Sequence, residues 1–189
     1  MRLKTQKLVI AVVLVLPVSA QTPQNTGAPQ ATPTPTHANI LRGEYGRYRA
    51  NNDLLFYHLD IRVDPEKKFV SGKNTIRFKM LKDDTRIQLA LYDNLKVDKI
   101  VQVFEGHSSK RQISASLSIP LKYERDSGAV FVDFPEKLKA GRFYSIDFYY
   151  SGTPQTIGRF GGFTFGTDPM KRPWIFTACE GEGASIWWP

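Results

Sequence analysis

Two carboxylates near the end of the chain are the residues best placed to do chemistry. Glu180 and Glu182 stand two apart in Cys179-Glu-Gly-Glu-Gly183. An extended backbone would put both on one side, about 7 Å apart from the rise per strand residue. Paired carboxyl groups can serve glycoside hydrolysis or hold an ammonium group. Two acids in a glycine-rich stretch equally fit a plain solvated loop. Gly181 and Gly183 would let another molecule approach the main chain closely. Cys179, the single cysteine, cannot form an intrachain disulfide and has no histidine near it in sequence. It reads as a small buried hydrophobe. His37, His58 and His107 are scattered, without the spacing of metal ligands. The chain contains no H-E-x-x-H, no G-x-S-x-G, no P-loop and no dinucleotide fingerprint.

The elements that must position these acids read as strands. Tyr57, Leu59, Ile61 and Val63 alternate with polar residues up to Asp64-Pro65, the period of a half-buried strand. Lys67 to Met80 repeats the pattern with Ile76, Phe78 and Met80 on one side, and Gly72 within it predicts a bulge or bend. Further alternating runs cover Ile87–Leu91 and Leu95–Val103, with a slip at Ile100-Val101. Others cover Gln112–Ile119, Val130–Phe134, Phe143–Tyr150 and Phe163–Phe165. Arg125 to Gly128 marks a hairpin turn, and Gly152 to Gly162 a loop. No helical period of useful length is present. Strands recurring every ~10–15 residues with short turns predict an all-β fold, an antiparallel β-sandwich or saddle-like pair of curved sheets.

The ends differ from the middle. Met1 to Ala20 has a basic start (Arg2, Lys4, Lys7), an apolar run (Leu8–Leu16) and small residues at Val18 and Ala20. That is the form of a secretory signal peptide, and its apolar run is shorter than the ~20 residues of a permanent span. We expect an exported protein, periplasmic or secreted, with no membrane attachment once the signal is cleaved. Residues 21–39, rich in Pro, Thr, Gln and Ala, predict a disordered linker, and residues 40–189 the folded domain. The charge of +8 is spread along the chain and partly belongs to the signal, so a nucleic-acid partner is not expected. At the other end the chain stops on Trp187-Trp188-Pro189 without a polar tail. Two exposed indoles leave a large apolar area in water. Either they tuck back onto the domain or their packing partner is missing, and we expect the second.

The run Pro173-Trp-Ile-Phe-Thr-Ala-Cys-Glu-Gly-Glu-Gly-Ala-Ser-Ile-Trp-Trp-Pro189 resembles the end of the N-terminal domain of zinc aminopeptidases of the aminopeptidase N (M1) family. Upstream, Tyr57–Val63, Val70-Ser-Gly72, Asn74–Phe78, Ile87–Leu91, Leu95–Val97 and Tyr144–Gly152 are similar to that domain's strands in the same order. The resemblance covers about Leu54 to Pro189. It implies a saddle-shaped β domain over a catalytic domain, with one loop entering the active site to bind the α-amino group of a peptide substrate. Glu180 matches the amine-binding position, with Gly181 and Glu182 beside it. Ala178 stands where the family often has Gln. The resemblance also implies that zinc, the H-E-x-x-H helix and the missing catalytic domain, packing on Trp187 and Trp188, would follow Pro189. This chain alone is then expected to be inactive. The alternative is a stand-alone exported β-sandwich that binds protein or glycan through aromatics such as Tyr149, Phe163 and Trp174. Burial of Trp187 and Trp188 would favour it. A hydrolase using Glu180 and Glu182 as a carboxylate pair is the third reading.

Overall fold

The computed structural model describes residues 34–104, 117–158, 161–181 and 183–189. Two short helices come first, α1 (His37–Gly43) and α2 (Arg47–Ala50). The long strands β1 (Asn52–Asp64), β2 (Phe69–Met80), β3 (Asp84–Ala90) and β4 (Leu95–Phe104) follow. Then come β5 (Leu117–Pro120), β6 (Lys122–Asp126), β7 (Ala129–Leu138) and β8 (Phe143–Gly152). The chain finishes with β9 (Thr156–Ile157), β10 (Gly161–Thr167), β11 (Pro173–Cys179) and a 3-10 turn, Ala184–Ile186. The strands form a five-stranded sheet in the order β1-β2-β8-β4-β5 and two three-stranded sheets, β3-β7-β6 and β11-β10-β9. Every pairing is antiparallel. This is the all-β architecture the alternation predicts.

The core lies on the inner face of the five-stranded sheet. Val70, Ile76, Phe78 and Met80 of β2 and Ile146, Phe148 and Tyr150 of β8 are fully buried. They join Ile87 and Leu89 of β3 and Val130, Val132 and Phe134 of β7 in one cluster. Phe78 sits at its centre, its ring 6.1 Å from Phe134 and 5.9 Å from Tyr144. Edge-on and tilted ring contacts at this range add to area burial.

Several local expectations are corrected. Gly72 marks no bulge: it pairs directly with Ile61. A Cβ at Gly72 would overlap the Asp60 carbonyl oxygen, so its absence lets β1 and β2 close together. The register shift of β1 falls between Leu54 and Phe56 instead. The slip in β4 is a shift between Val97 and Lys99, after which Ile100 and Gln102 take over the inward positions. Pro135 does not end its strand, because β7 runs on to Leu138. It lies beyond the last β6 pair, Lys122 with Asp133, and beside the irregularity opposite β3. A missing N–H costs no ladder bond there. The Gly152–Gly162 loop contains β9, and the Phe163–Phe165 strand is longer, starting at Gly161. Ser127 and Gly128, both at positive φ, make the tight hairpin turn expected between Arg125 and Gly128. The Gln112–Ile119 strand lies outside the described residues up to residue 116 and is observed from Leu117.

Residues 37–39, assigned to the disordered linker by composition, are helical. Thr36 caps α1: its hydroxyl accepts from the Asn39 amide while Asn39 bonds back to the Thr36 amide, a reciprocal cap of the capping-box kind. The rest of the linker and the signal segment lie outside the described residues. Helix α2 is tied to β3 by Asp84, whose carboxylate accepts from the Thr85 amide at 2.9 Å and Arg47 Nε at 3.3 Å. Burial alone would raise the Asp84 pKa. The hydrogen bonds from Thr85, Asn51 and Arg47 outweigh it and hold the group below the ordinary 3.8.

Two outcomes follow. Phe78→Ala removes a fully buried ring and is expected to cost about 3–5 kcal/mol in a urea unfolding curve; a loss under about 1 kcal/mol would contradict this core. A depressed carboxylate contributes stability above its unfolded pKa and loses it as pH falls through the folded value. Asp84→Asn should therefore lower stability at neutral pH and flatten the decline below about pH 4, read from unfolding midpoints across pH.

Candidate functional site

The site is built by the hairpin β10–β11 and the stretch that follows it. The ladder runs from Thr167 with Pro173 to Gly161 with Cys179. At the far end Asp168 closes the connection: its carboxylate accepts from the amides of Met170 and Arg172 and from Arg172 Nε at 2.7 Å. One face of the hairpin packs inward through Phe163, Phe165 and Ile175. Trp174 and Phe176 stay exposed, at 60% and 47%.

Glu180 follows the last ladder residue directly. The Gly183 amide donates to the Cys179 carbonyl at 3.0 Å, closing a short loop that holds Glu180 and Gly181 outward, both exposed. Gly181 and Gly183 take φ of 77° and 78°, values that favour glycine. Nothing crowds the space where their Cβ atoms would stand. Glu180 forms no ion pair with another described residue. Glu182 lies outside the described residues, so its pairing with Glu180 is not defined. Ala178 and Cys179 are half-buried.

Beyond the loop the chain returns onto the domain. Ile186 is fully buried, and the Ser185 carbonyl accepts from the Tyr92 amide at 2.9 Å. Trp187 stacks obliquely on Phe163, with centroids 5.4 Å apart. Trp188 meets Tyr57 edge-on at 5.0 Å. Asn74 Nδ2 donates to the Pro189 carbonyl at 2.6 Å, in a buried bond. The expectation that both indoles lack a partner within the chain is thus corrected: each is half-buried against this domain. Trp188 also walls a cleft of about 350 Å³ with Tyr45, Arg49, Asp53, Tyr57 and Gln88. Burial there raises the Tyr57 pKa against the lowering pull of Arg49.

Asn74 is the residue that sequence reasoning missed. It occupies an inward position of β2, in step with Ile76 and Phe78, and is fully buried. A polar residue in an inward series is the signal that could have found it. Its Oδ1, the Tyr150 hydroxyl and the Trp187 indole nitrogen have no hydrogen-bond partner among the described residues. Burial raises the Tyr150 pKa strongly. Among the described residues no group of three His, Cys, Asp or Glu side chains is arranged to hold a metal ion.

Residues 54–189 match the family described as the Peptidase M1 N-terminal domain. The chain belongs to that family. Among solved structures it is similar to a two-domain M1 zinc metallopeptidase bound to L-arginine, at 19% identity and a TM-score of 0.53. It is also similar to an M1 zinc metallopeptidase from Deinococcus radiodurans bound to a Tyr-Ser-Ala substrate, at 18% identity and a TM-score of 0.54. Each match covers 75% of this chain and 29% of the other. The chain thus spans under a third of the length of these relatives, and at such identities the likeness is one of fold. Comparison with curated proteins gives no match.

The seat of the terminal stretch is testable. Asn74→Ala leaves the buried Pro189 carbonyl without its donor and is expected to cost about 1–3 kcal/mol. The emission of Trp187 and Trp188 should shift to the red. Unchanged stability and emission would show that the bond does not hold this segment.

Proposed function

We propose that this chain is the substrate-recognition domain of an exported zinc aminopeptidase, and that Glu180 receives the free α-amino group of the peptide. The observation that carries the reading is the placement of Glu180. It stands exposed and without an ion-pair partner among the described residues, in a glycine-flanked loop at the end of the hairpin of an M1 N-terminal domain. A carboxylate closed off from water by a bound peptide pairs strongly with an ammonium group and rejects a blocked N-terminus, which carries no charge. Gly181 and Glu182 flank the same position. Ala178, where the family often has Gln, leaves the amine with one side-chain contact fewer.

Zinc and the general base belong, in this reading, to a catalytic domain joined to this one. That domain would supply Lewis-acid activation of water. This chain would shape one wall of the pocket, exclude water from it and fix the substrate's N-terminus. The edges of Trp187 and Trp188 left uncovered would meet the catalytic domain. Export follows from the signal-like Met1–Ala20 segment.

Two measurements test the reading. The purified 189-residue chain should leave aminoacyl anilides uncleaved and should not retain zinc; robust hydrolysis by it would sink the proposal. In a polypeptide uniting this domain with a catalytic half, Glu180→Ala should lower kcat/KM for free-amine substrates about 30-fold or more. Discrimination against N-acetylated substrates should fall with it. Equal discrimination in parent and variant would remove Glu180 from the amine site.

A further inference from the structure

A basic cleft lies at the end of the five-stranded sheet where β2 and β4 finish and β8 begins. Arg77 and Lys79 project from the outward-facing positions of β2, and β8 begins opposite them, with Phe143 paired to Lys79 and Ser145 to Arg77. The Phe143 ring is 54% exposed and carries two cations, Arg77 Cζ at 5.7 Å and Lys79 Nζ at 5.8 Å from its centroid. Arg77, Arg142, Phe143 and Phe104 line a cleft of about 590 Å³.

None of these three cations has an ion-pair partner among the described residues. None of the nearest acids of the sheet neutralises these cations. Asp147 is held by Lys73 at 2.9 Å and by the Thr75 hydroxyl. Asp53 stands opposite Lys79 in register and forms no ion pair with it. Elsewhere in the domain two arginines are engaged by the fold: Arg86 grips Asp133 through two nitrogens, and Arg125 donates to the carbonyls of Leu91, Tyr92 and Leu95. Arg77 and Arg142 are exposed and do neither. Arg77 and Lys79, held over one ring, repel each other unless an anion joins them.

We infer that this cleft binds a phosphate-bearing ligand. The two guanidinium groups that line it, Arg77 and Arg142, match a multiply charged anion better than a single carboxylate, because each fork reaches two oxygens at once. The exposed rings of Phe104 and Phe143 would take the apolar part of the carrier. Ring contact with Phe143 also holds Arg77 and Lys79 in place, so less side-chain freedom is lost when the anion arrives. The cleft shares no lining residue with the Glu180 loop and stands independently of the peptidase reading.

The test titrates the full chain at low ionic strength with inorganic phosphate, and separately with phosphatidylcholine vesicles with and without phosphatidylglycerol. Saturable phosphate binding that weakens at least about tenfold in R77Q and in R142Q, the usual scale for losing a hydrogen bond to a charged group, supports the site. F143A removes no charge and is expected to weaken binding less. Vesicle binding that phosphate displaces would identify the carrier as a lipid headgroup. Phosphate binding without vesicle binding would identify it as a free phosphoryl compound. The inference is overturned by no saturable binding of either probe or by equal binding in R77Q and R142Q. Association with duplex DNA alone, following salt concentration only, would overturn it too.

Discussion

The inner face of the five-stranded sheet must be covered along its whole length, and the rest of the structure follows from how that is done. Strands of 13 and 12 residues leave far more apolar surface than the β3-β7-β6 sheet can bury. Phe163 of the hairpin joins the same cluster as Val70 and Tyr150, and Phe165, Ile175, Trp187 and Trp188 pack against it beside Ile61 and Val63. Leaving this area wet would forfeit on the order of 25 cal/mol per Å². The hairpin and the terminal stretch are therefore part of the core, and the Glu180 loop between them is held by what lies on both sides of it.

In the proposed reading, that arrangement would join stability to function. Glu180 is exposed, but its neighbours are not free to move: Cys179 ends a ladder, Gly183 closes the loop, and Ile186 is sunk in the core. A recognition group on a loop anchored at both ends loses little conformational freedom on binding. The buried bond from Asn74 to the Pro189 carbonyl ties residue 189 to β2.

What the sequence made legible depended on periodicity. The strands β2 and β8 were readable because Ile76, Phe78 and Met80 and Tyr144, Ile146, Phe148 and Tyr150 alternate without interruption. Local chemistry that breaks period was harder. Gly72 can equally mark a bulge or a close approach, and only the position of Asp60 decides between them. Helix α1 is too short for a helical period, and its capping pair, Thr36 and Asn39, lies in a stretch whose composition reads as disorder. The role proposed for Glu180 rests on its motif. The seat of Trp187 and Trp188 was not legible, because their partners Phe163 and Tyr57 lie 24 and 131 residues away along the chain, and no local pattern carries such a pairing.

The most direct test of the account is a crystal structure of this domain joined to a catalytic domain, with a free amino acid bound. The account predicts the Glu180 carboxylate within about 2.7–2.9 Å of the ligand's ammonium nitrogen, the distance of a charge-assisted hydrogen bond. It also predicts Trp187 and Trp188 still seated on Phe163 and Tyr57. An amino group turned away from Glu180, held by residues of the other domain alone, would contradict it.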